Sequence, residues 1–283
     1  MTAFHKETFL LTPPHGRTFS SDIRFQTGKP PQPLVIFVHG FKGFKDWGYW
    51  NLLADHFATH GFAFLKLNLS HNGATPTSED LEDMEAFGRN NFTIELADLE
   101  SLLNFLFSEE NPFREALDLD KIAIIGHSRG GGLVLLKAAE DSRIKAVATW
   151  ASVSNLNPGW NEDVIAKWKA NGVIFNMNTR TLVEMPLYYQ LYEDFVANAK
   201  RFDVENAAAN LQQPLLIVHG DADPVVPVAQ ARRLHELQPA SQLEIIAGAD
   251  HSFGGSHPYT KPELPELAKE AAEKTVAFFK QKL

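Results

Sequence analysis

From residue 34 onward, short apolar segments alternate with segments of helical periodicity, and this alternation limits the possible folds more than any other feature. Residues 34–38 read Leu-Val-Ile-Phe-Val, without the polar alternation of a strand that has one face in water. Strands separated by helices usually pair in parallel and have helices on both faces. We therefore predict an α/β fold with a mostly parallel sheet. The predicted strands cover residues 34–38, 62–69, 121–125, 144–150, 214–218 and 242–246, and the predicted helices cover residues 50–60, 92–107, 131–140, 228–237 and 264–280.

The N-terminal segment has a different pattern, in which apolar and polar residues partly alternate. Residues 4–12 and 17–27 are predicted strands, and the turn between them reads Pro-Pro-His-Gly. Two strands joined by so short a turn pair in antiparallel fashion. The sheet is therefore predicted to begin with an antiparallel hairpin.

The alternation of strands and helices stops after residue 152 and resumes near residue 214. The ~60 residues between these points are more than a crossover connection needs. We predict that residues 153–213 form a cap inserted into a core of residues 1–152 and 214–283. Most of the many aromatic residues in this segment are expected to form the cap's own core, and a minority to face a substrate. Four are candidates for the walls of a substrate pocket: Trp160, Phe175, Tyr188 and Tyr189.

The composition excludes several kinds of function. The chain of 283 residues has no cysteine, so a thiolate nucleophile is ruled out, and it is long enough to fold without disulfides or structural zinc. A net charge of −9 is unfavourable for binding nucleic acid. The longest apolar runs have about five residues, far short of the ~20 that span a membrane. The first eleven residues include His5, Lys6 and Glu7 and do not resemble a secretory signal. We expect a soluble, cytoplasmic protein that binds neither nucleic acid nor membranes.

The most specific motif lies where a predicted strand meets a predicted helix. Residues 126–130 read Gly-His-Ser-Arg-Gly, between the apolar strand 121–125 and the helix 131–140. A serine at the tip of such a turn needs a strained backbone, and small residues two positions to either side let the strand and the helix approach each other. The helix N-terminus also offers unpaired N–H groups to an anion. The motif predicts that Ser128 is a nucleophile.

A serine nucleophile requires a histidine base and a carboxylate that orients the base. After the predicted strand 214–218, Asp221 and Asp223 follow its carboxyl end, where open α/β sheets assemble their sites. Asp223 is the preferred orienting residue and Asp221 the alternative, because one of the two can instead bind the backbone of its own turn. His251 follows the next predicted strand. The order Ser128, Asp223, His251 is that of serine enzymes with this architecture.

With these motifs, the chain resembles the α/β-hydrolase superfamily from residue 34 onward. In such enzymes two backbone N–H groups bind the oxyanion, and the resemblance assigns these groups to Arg129, after the nucleophile, and to Phe41. The His-Gly-Phe loop that contains Phe41 is similar to that of small esterases that act on cinnamoyl and short acyl esters. Residues 68–74 depart from the Arg-Gly-His-Gly type of sequence that many relatives carry, so this loop is expected to differ.

The resemblance implies a serine hydrolase of carboxylic esters that uses an acyl-enzyme and needs no cofactor and no metal. Three alternatives remain open: a peptidase of the prolyl-oligopeptidase type, an acyl thioesterase, and a non-catalytic ligand-binding protein on the same fold. Peptidases of that type carry a propeller ahead of the main sheet, whereas only about 30 residues precede the sheet here. This difference favours esters over peptides as substrates. The expected partner is a small-molecule ester. The sequence leaves its identity and the oligomeric state open.

Overall fold

The computed structural model describes residues 3–78 and 80–283; Met1, Thr2 and Glu79 lie outside the described residues. The strands are β1 (Phe4–Leu11), β2 (Phe19–Gln26), β3 (Gln32–Val38), β4 (Ala63–Leu67), β5 (Leu117–His127), β6 (Ile144–Trp150), β7 (Val173–Asn178), β8 (Val183–Tyr188), β9 (Leu215–Gly220) and β10 (Gln242–Ile246). The helices are α1 (Trp50–Thr59), α2 (Met84–Gly88), α3 (Phe92–Phe107), α4 (Arg129–Glu140), α5 (Glu162–Asn171), α6 (Gln190–Ala197), α7 (Val204–Ala209), α8 (Ala229–Leu237) and α9 (Glu266–Lys282).

Eight of the strands form one sheet in the order β1-β2-β4-β3-β5-β6-β9-β10. β1 and β2 form an antiparallel hairpin, and β2 is also antiparallel to β4. All neighbouring pairs from β4 to β10 are parallel. The predicted α/β fold, with a mostly parallel sheet and antiparallel N-terminal strands, is confirmed.

The central strands are covered on both faces, as their uninterrupted apolar sequences predict. In β3, Leu34, Ile36 and Val38 belong to one apolar cluster, and Val35 and Phe37 belong to the other. Helices α3 and α4 contribute to the first cluster, whereas α1 and α9 contribute to the second. Burial of each such side chain is worth about 2 kcal/mol, so the two clusters together hold β3 in the interior of the protein. The parallel register places the carboxyl ends of β3, β5, β9 and β10 at one edge of the sheet.

The predicted elements agree with the observed ones except near their ends, whereas the sequence analysis predicts neither α2 nor any helix or strand within residues 153–213. The helix predicted to start at residue 131 starts at Arg129, although it contains three consecutive glycines, which have low helix propensity. Close packing overrides this propensity, since a Cβ atom at Gly130 or Gly131 would collide with neighbouring residues. The five-residue α2 and the hairpin β7-β8 are too short to produce a clear periodicity in the sequence. No helix within residues 3–78 and 80–283 has the length and apolar character needed to cross a bilayer.

Residues 153–213, which we call the cap segment, contain α5, β7, β8, α6 and α7. The helix α7 packs against α4 and α8 in the layer that covers the sheet. The indole N–H of the buried Trp168 donates to the Leu187 carbonyl at 2.7 Å, which ties α5 to β8. An aromatic cluster with ring centroids 5.3 to 6.4 Å apart fills the cap segment and consists of Trp160, Trp168, Tyr189, Tyr192 and Phe195.

Candidate active site

Ser128 lies between the last residue of β5 and the first residue of α4. Its backbone has φ 57° and ψ −123°, and a non-glycine residue in so rare a conformation costs about 1–3 kcal/mol. The Ser128 N–H donates to the Trp150 carbonyl at 2.9 Å, which anchors the turn to β6. The serine hydroxyl makes no capping bond to α4. The strained turn therefore leaves Oγ of Ser128 free for other partners.

Glycines on both sides of Ser128 let β5, α4 and the end of β3 approach closely. A Cβ atom at Gly126 would lie 2.2 Å from the Gly130 carbonyl oxygen. A Cβ atom at Gly130 would lie 2.5 Å from the carbonyl oxygens of Val38 and His39. Backbone atoms cannot move aside as the end of a flexible side chain can, so both positions require glycine.

Gly130→Ala is expected to lower the free energy of unfolding by about 3 kcal/mol, because the new methyl group would overlap two carbonyl oxygens. Gly132→Ala, in the same helix, is the matched control, since its nearest atoms are methyl groups of Leu156 and Val153 at 3.1 and 3.2 Å. Alanine favours a helix over glycine by ~1 kcal/mol, so this variant should be about as stable as the wild type. Urea denaturation measures both variants. Equal loss of stability in the two would contradict the packing requirement at Gly130.

Three side chains from separate parts of the chain meet at the carboxyl edge of the sheet. His251 Nε2 lies 3.0 Å from Ser128 Oγ, and His251 Nδ1 lies 2.8 Å from Asp223 Oδ2. An ionised carboxylate only accepts hydrogen bonds, so Nδ1 carries the ring proton and Nε2 accepts from the serine hydroxyl. The three residues selected from the sequence are thus within hydrogen-bonding distance, in the order that activates a serine.

Asp223 and Asp221 have different partners. Asp223 Oδ1 accepts two N–H groups of its own turn, at 2.7 and 2.9 Å. Oδ2 accepts from His251 at 2.8 Å, and Nε2 of His219 lies 3.4 Å from the same oxygen. Asp221 Oδ1 instead accepts the Gly248 N–H at 2.6 Å and ties two loops together. Burial alone would raise the pKa of Asp223, but the nearby His219 ring and the hydrogen bonds from His251 and the Val226 N–H outweigh burial and hold the pKa well below its usual range. Asp223 therefore stays ionised beside the imidazole.

Two side chains that the sequence analysis does not select hold the loop of His251. His127 Nε2 donates to the His251 carbonyl at 2.9 Å, and the Tyr49 hydroxyl donates to the Ser252 carbonyl at 3.0 Å. The rings of His127 and His251 lie 4.9 Å apart, centroid to centroid. Two consecutive carbonyls are thus fixed by buried side chains, which sets the distance between His251 and Ser128. Because His127 and His251 are 124 residues apart, no local sequence pattern indicates this contact.

The loop after β3 contains the second N–H group predicted to bind an oxyanion. The Gly43 N–H donates to the Gly40 carbonyl at 3.0 Å and closes a four-residue turn that includes Phe41. A Cβ atom at Gly40 would lie 2.7 Å from Cβ of Ser128, so the turn lies directly against this serine. Across residues 3–78 and 80–283, the N–H groups of Phe41 and Arg129 donate to no backbone carbonyl. Both groups are available to a ligand.

His39 anchors this turn to the loop after β4. Its buried ring accepts the Leu69 N–H at Nε2 (3.2 Å), and Nδ1 lies 2.9 Å from the Gly40 carbonyl oxygen. Since Nε2 accepts, Nδ1 carries the proton and donates, and the ring is neutral. Burial lowers the pKa of His39 from 6.5 to about 4, which maintains this neutral form at pH 7.

The two residues assigned to the oxyanion also contact each other through their side chains. The guanidinium carbon of Arg129 lies 4.6 Å from the centre of the Phe41 ring. Arg129 Nη2 donates to Oε1 of Glu95 at 2.5 Å, and Asn90 Nδ2 donates to the same oxygen at 2.7 Å. Burial raises the pKa of Glu95, and the charge of Arg129 opposes that rise. This buried pair fixes the Arg129 side chain against Phe41. The sequence analysis does not predict it.

Two buried, neutral histidines lie next to the site, and we expect them to make the folded protein less stable in acid. Burial lowers the pKa of His39 to about 4 and that of His127 to about 3, from 6.5. Between pH 6.5 and 4, the unfolded chain binds protons at these residues that the folded protein does not, so stability falls as the pH falls. Each histidine should remove about 2 kcal/mol between pH 7 and pH 5. In His127→Phe, urea denaturation should show that the free energy of unfolding falls by about 2 kcal/mol less between pH 7 and pH 5 than in the wild type. An unchanged fall would contradict the conclusion that His127 is neutral in the folded protein.

The four aromatic residues predicted to line a substrate pocket have different surroundings. Trp160 and Tyr189 pack within the aromatic cluster of the cap segment. The Tyr188 hydroxyl donates to Glu85, and its ring lies against α2. Phe175, on β7, is 58% exposed. Trp160 and Tyr189 are thus partly buried among other aromatic rings of the cap segment, and a pocket wall formed by any of the four remains a prediction.

The fold and the site together define a hydrolase of the α/β class. A sequence profile of proteins with the alpha/beta hydrolase fold matches residues 33–184, which is more than half of the chain. The chain belongs to the α/β-hydrolase fold family.

Individual relatives are distant. The chain is 24% identical over 257 residues to a 2,6-dihydropseudooxynicotine hydrolase from Paenarthrobacter nicotinovorans, a match that covers 87% of this chain and 61% of the relative. The chain therefore spans less than two thirds of that protein's length. The esterase domain of a Rhodothermus marinus protein superposes with a TM-score of 0.63 at 20% identity, covering 98% of this chain and 97% of that one. Est1E from Butyrivibrio proteoclasticus gives a TM-score of 0.69 at 19% identity, covering 97% and 99%. At these identities, the solved structures establish a common fold.

Proposed function

We propose that this protein hydrolyses carboxylic esters through an acyl-enzyme formed on Ser128. The observation that carries the proposal is the chain of two hydrogen bonds from Asp223 to His251 (2.8 Å) and from His251 to Ser128 (3.0 Å). Two esterases share the fold, and one structure of Est1E contains ferulic acid. The bound ferulic acid supports an ester of an aromatic acid as the substrate. The His-Gly-Phe loop, which is similar to that of esterases of cinnamoyl and short acyl esters, supports the same class and adds short acyl acids.

In the first half-reaction, Ser128 Oγ attacks the ester carbonyl while Nε2 of His251 takes the hydroxyl proton. Asp223 stabilises the imidazolium that forms and keeps the ring in position. The tetrahedral intermediate then breaks its bond to the leaving alcohol, which receives the proton from His251. The acyl group remains bound to Ser128 as an ester.

In the second half-reaction, water gives a proton to His251 and attacks the acyl carbon. Collapse of this second intermediate breaks the bond to Ser128 Oγ, which takes the proton back from His251. The products are the carboxylic acid and the free enzyme, and the only co-reactant is water.

The N–H groups of Phe41 and Arg129 bind the oxyanion in both half-reactions. Each donor of this kind contributes ~3–4 kcal/mol to the stability of the transition state. The N-terminus of α4 adds its positive dipole end at the same position. The proximity of Gly40 to Ser128 supports this assignment, because it brings the Phe41 turn against the nucleophile.

A substrate panel tests the proposal. It contains p-nitrophenyl esters from acetate to long acyl chains, methyl ferulate, an acyl thioester series and peptide p-nitroanilides. We expect the highest kcat/KM with short acyl or aromatic esters. Faster turnover of anilides would indicate a peptidase, and faster turnover of thioesters would indicate a thioesterase. Saturable ligand binding without turnover would indicate a binding protein.

A further inference from the structure

Lys42 stands in an unfavourable backbone conformation beside the assigned oxyanion donor Phe41. It is the third residue of the turn closed by the Gly43 N–H and the Gly40 carbonyl, and its φ is +58°. A turn with a left-handed residue at this position normally has glycine or asparagine there, because other side chains strain the backbone. Lysine relieves none of this strain, so the reason for its presence lies in the contacts of its side chain.

The Lys42 side chain connects this turn to the cap segment. Its ammonium group donates to Oδ1 of Asn176 and to the carbonyl of Met177, both at 2.9 Å and both on β7. Burial lowers the pKa of Lys42. The two oxygens that accept from its ammonium group are both uncharged, so the contact is a pair of hydrogen bonds and not an ion pair. A contact between residues 134 positions apart thus joins the hairpin β7-β8 to the residue after Phe41.

The ends of the Phe41 loop are fixed to the core independently of the cap segment. The ring of His39 accepts from Leu69, and the Lys45 N–H donates to Asn68 at 2.8 Å. The middle of the loop has contacts of a different kind. The Phe41 ring packs against the Phe87 ring, 5.5 Å away between centroids, and against the Arg129 guanidinium. Lys42, the next residue, joins the loop to β7. Movement of the hairpin is therefore transmitted to the turn that carries the Phe41 N–H.

We propose that Lys42 is a positioning residue that couples the hairpin β7-β8 to the oxyanion site, so that the hairpin must be in place for the Phe41 N–H to be aligned. This inference rests on the proposed function, since an oxyanion forms only if Ser128 attacks a carbonyl. It assigns the cap segment a part in the chemical step in addition to any contact with the substrate.

The hairpin has a second contact that serves as a matched control. Nη2 of Arg180, in the turn between β7 and β8, donates to both carboxylate oxygens of Asp80, at 2.5 and 2.7 Å. Like Lys42, Arg180 fastens the hairpin to the core, but it does not touch the turn of Phe41. Loss of Arg180 removes an ion pair of the hairpin but keeps the contact of Lys42 with β7, so the hairpin should stay in place beside the oxyanion site.

The test measures kcat and KM for p-nitrophenyl acetate in four single variants, Lys42→Met, Lys42→Arg, Asn176→Ala and Arg180→Met, and in the double variant that combines Lys42→Met with Asn176→Ala. Lys42→Met removes the charge at similar length and should lower kcat about tenfold, with KM within about twofold, because a transition-state contact is misaligned. Lys42→Arg should recover most of that loss. Asn176→Ala should lower kcat in the same sense, and adding it to Lys42→Met should lower kcat little further, since both changes break one contact. Arg180→Met should leave kcat within about threefold of the wild type.

Equal kcat values for Lys42→Met and Arg180→Met would overturn the proposal, as would a rise in KM at unchanged kcat in Lys42→Met. The rate at which a fluorophosphonate modifies the enzyme gives a second measurement in the same variants, because that reaction also develops charge at the oxyanion site. Failure of the proposed function has a different signature, namely no ester hydrolysis and no fluorophosphonate adduct in the wild-type protein. Thermal unfolding of each variant separates loss of alignment from loss of fold.

Discussion

Ser128→Ala is expected to lower kcat for ester hydrolysis by on the order of 10⁶, with KM within about threefold. The alanine lacks the oxygen that forms the acyl-enzyme, whereas the backbone at this position, with φ 57°, is equally strained for serine and alanine. The fold should therefore persist, and the thermal midpoint should stay close to that of the wild type. Discontinuous assays with p-nitrophenyl acetate at high enzyme concentration measure the residual rate of Ser128→Ala.

Ser152→Ala is the matched control for this prediction. Ser152 is also buried, beside Gly131 of α4, and its hydroxyl donates to the carbonyl of Val153 at 2.9 Å rather than to a histidine. Its loss should change kcat less than about tenfold. Residual activity above about 1% in Ser128→Ala would mean that another group is the nucleophile.

Asp223→Asn is expected to lower kcat by on the order of 10⁴. The asparagine amide would donate to Nδ1 of His251 and move the ring proton to Nε2. The imidazole could then no longer accept the proton of Ser128, although the heavy atoms would hardly move. The loss should appear in kcat and kcat/KM alike, as for a contact needed only in the transition state.

Asp221→Asn separates the two carboxylates that the sequence leaves in competition. Among the residues that the structure describes, the Asp221 carboxylate accepts a hydrogen bond only from the Gly248 N–H. The side-chain oxygen of asparagine can accept the same bond. We expect activity within about tenfold of the wild type. If Asp221→Asn were the more damaging change, Asp221 would be the orienting acid and the geometry around Asp223 would need another explanation.

The sequence predicts the sheet well because burial on two faces leaves a direct mark on composition. Residues 34–38 contain no polar residue, and the structure covers both faces of β3 with helices. The turn that carries Ser128 is equally predictable from the sequence, since Gly126 and Gly130 occupy positions where only a hydrogen atom fits. Ser128, Asp223 and His251 could be selected because each follows a predicted strand, and parallel strands end at one edge.

The parts of the site that the sequence does not reveal depend on contacts between distant segments. His127 binds the carbonyl of His251, and Arg129 pairs with the buried Glu95 of α3, yet neither contact produces a periodicity or a spacing. The hairpin β7-β8 is short and has polar residues on both strands, so its sequence resembles a loop. The contact of Lys42 with Asn176 depends on that hairpin and could not be inferred without it.

The most direct test of the catalytic assignment is the site of covalent modification by a fluorophosphonate, located by mass spectrometry of proteolytic peptides. The triad geometry predicts one adduct per chain, on Ser128, with none formed in Ser128→Ala and a greatly slowed reaction in Asp223→Asn. An adduct on any other residue, or labelling that persists at the wild-type rate in Ser128→Ala, would contradict the assignment of Ser128 as the nucleophile.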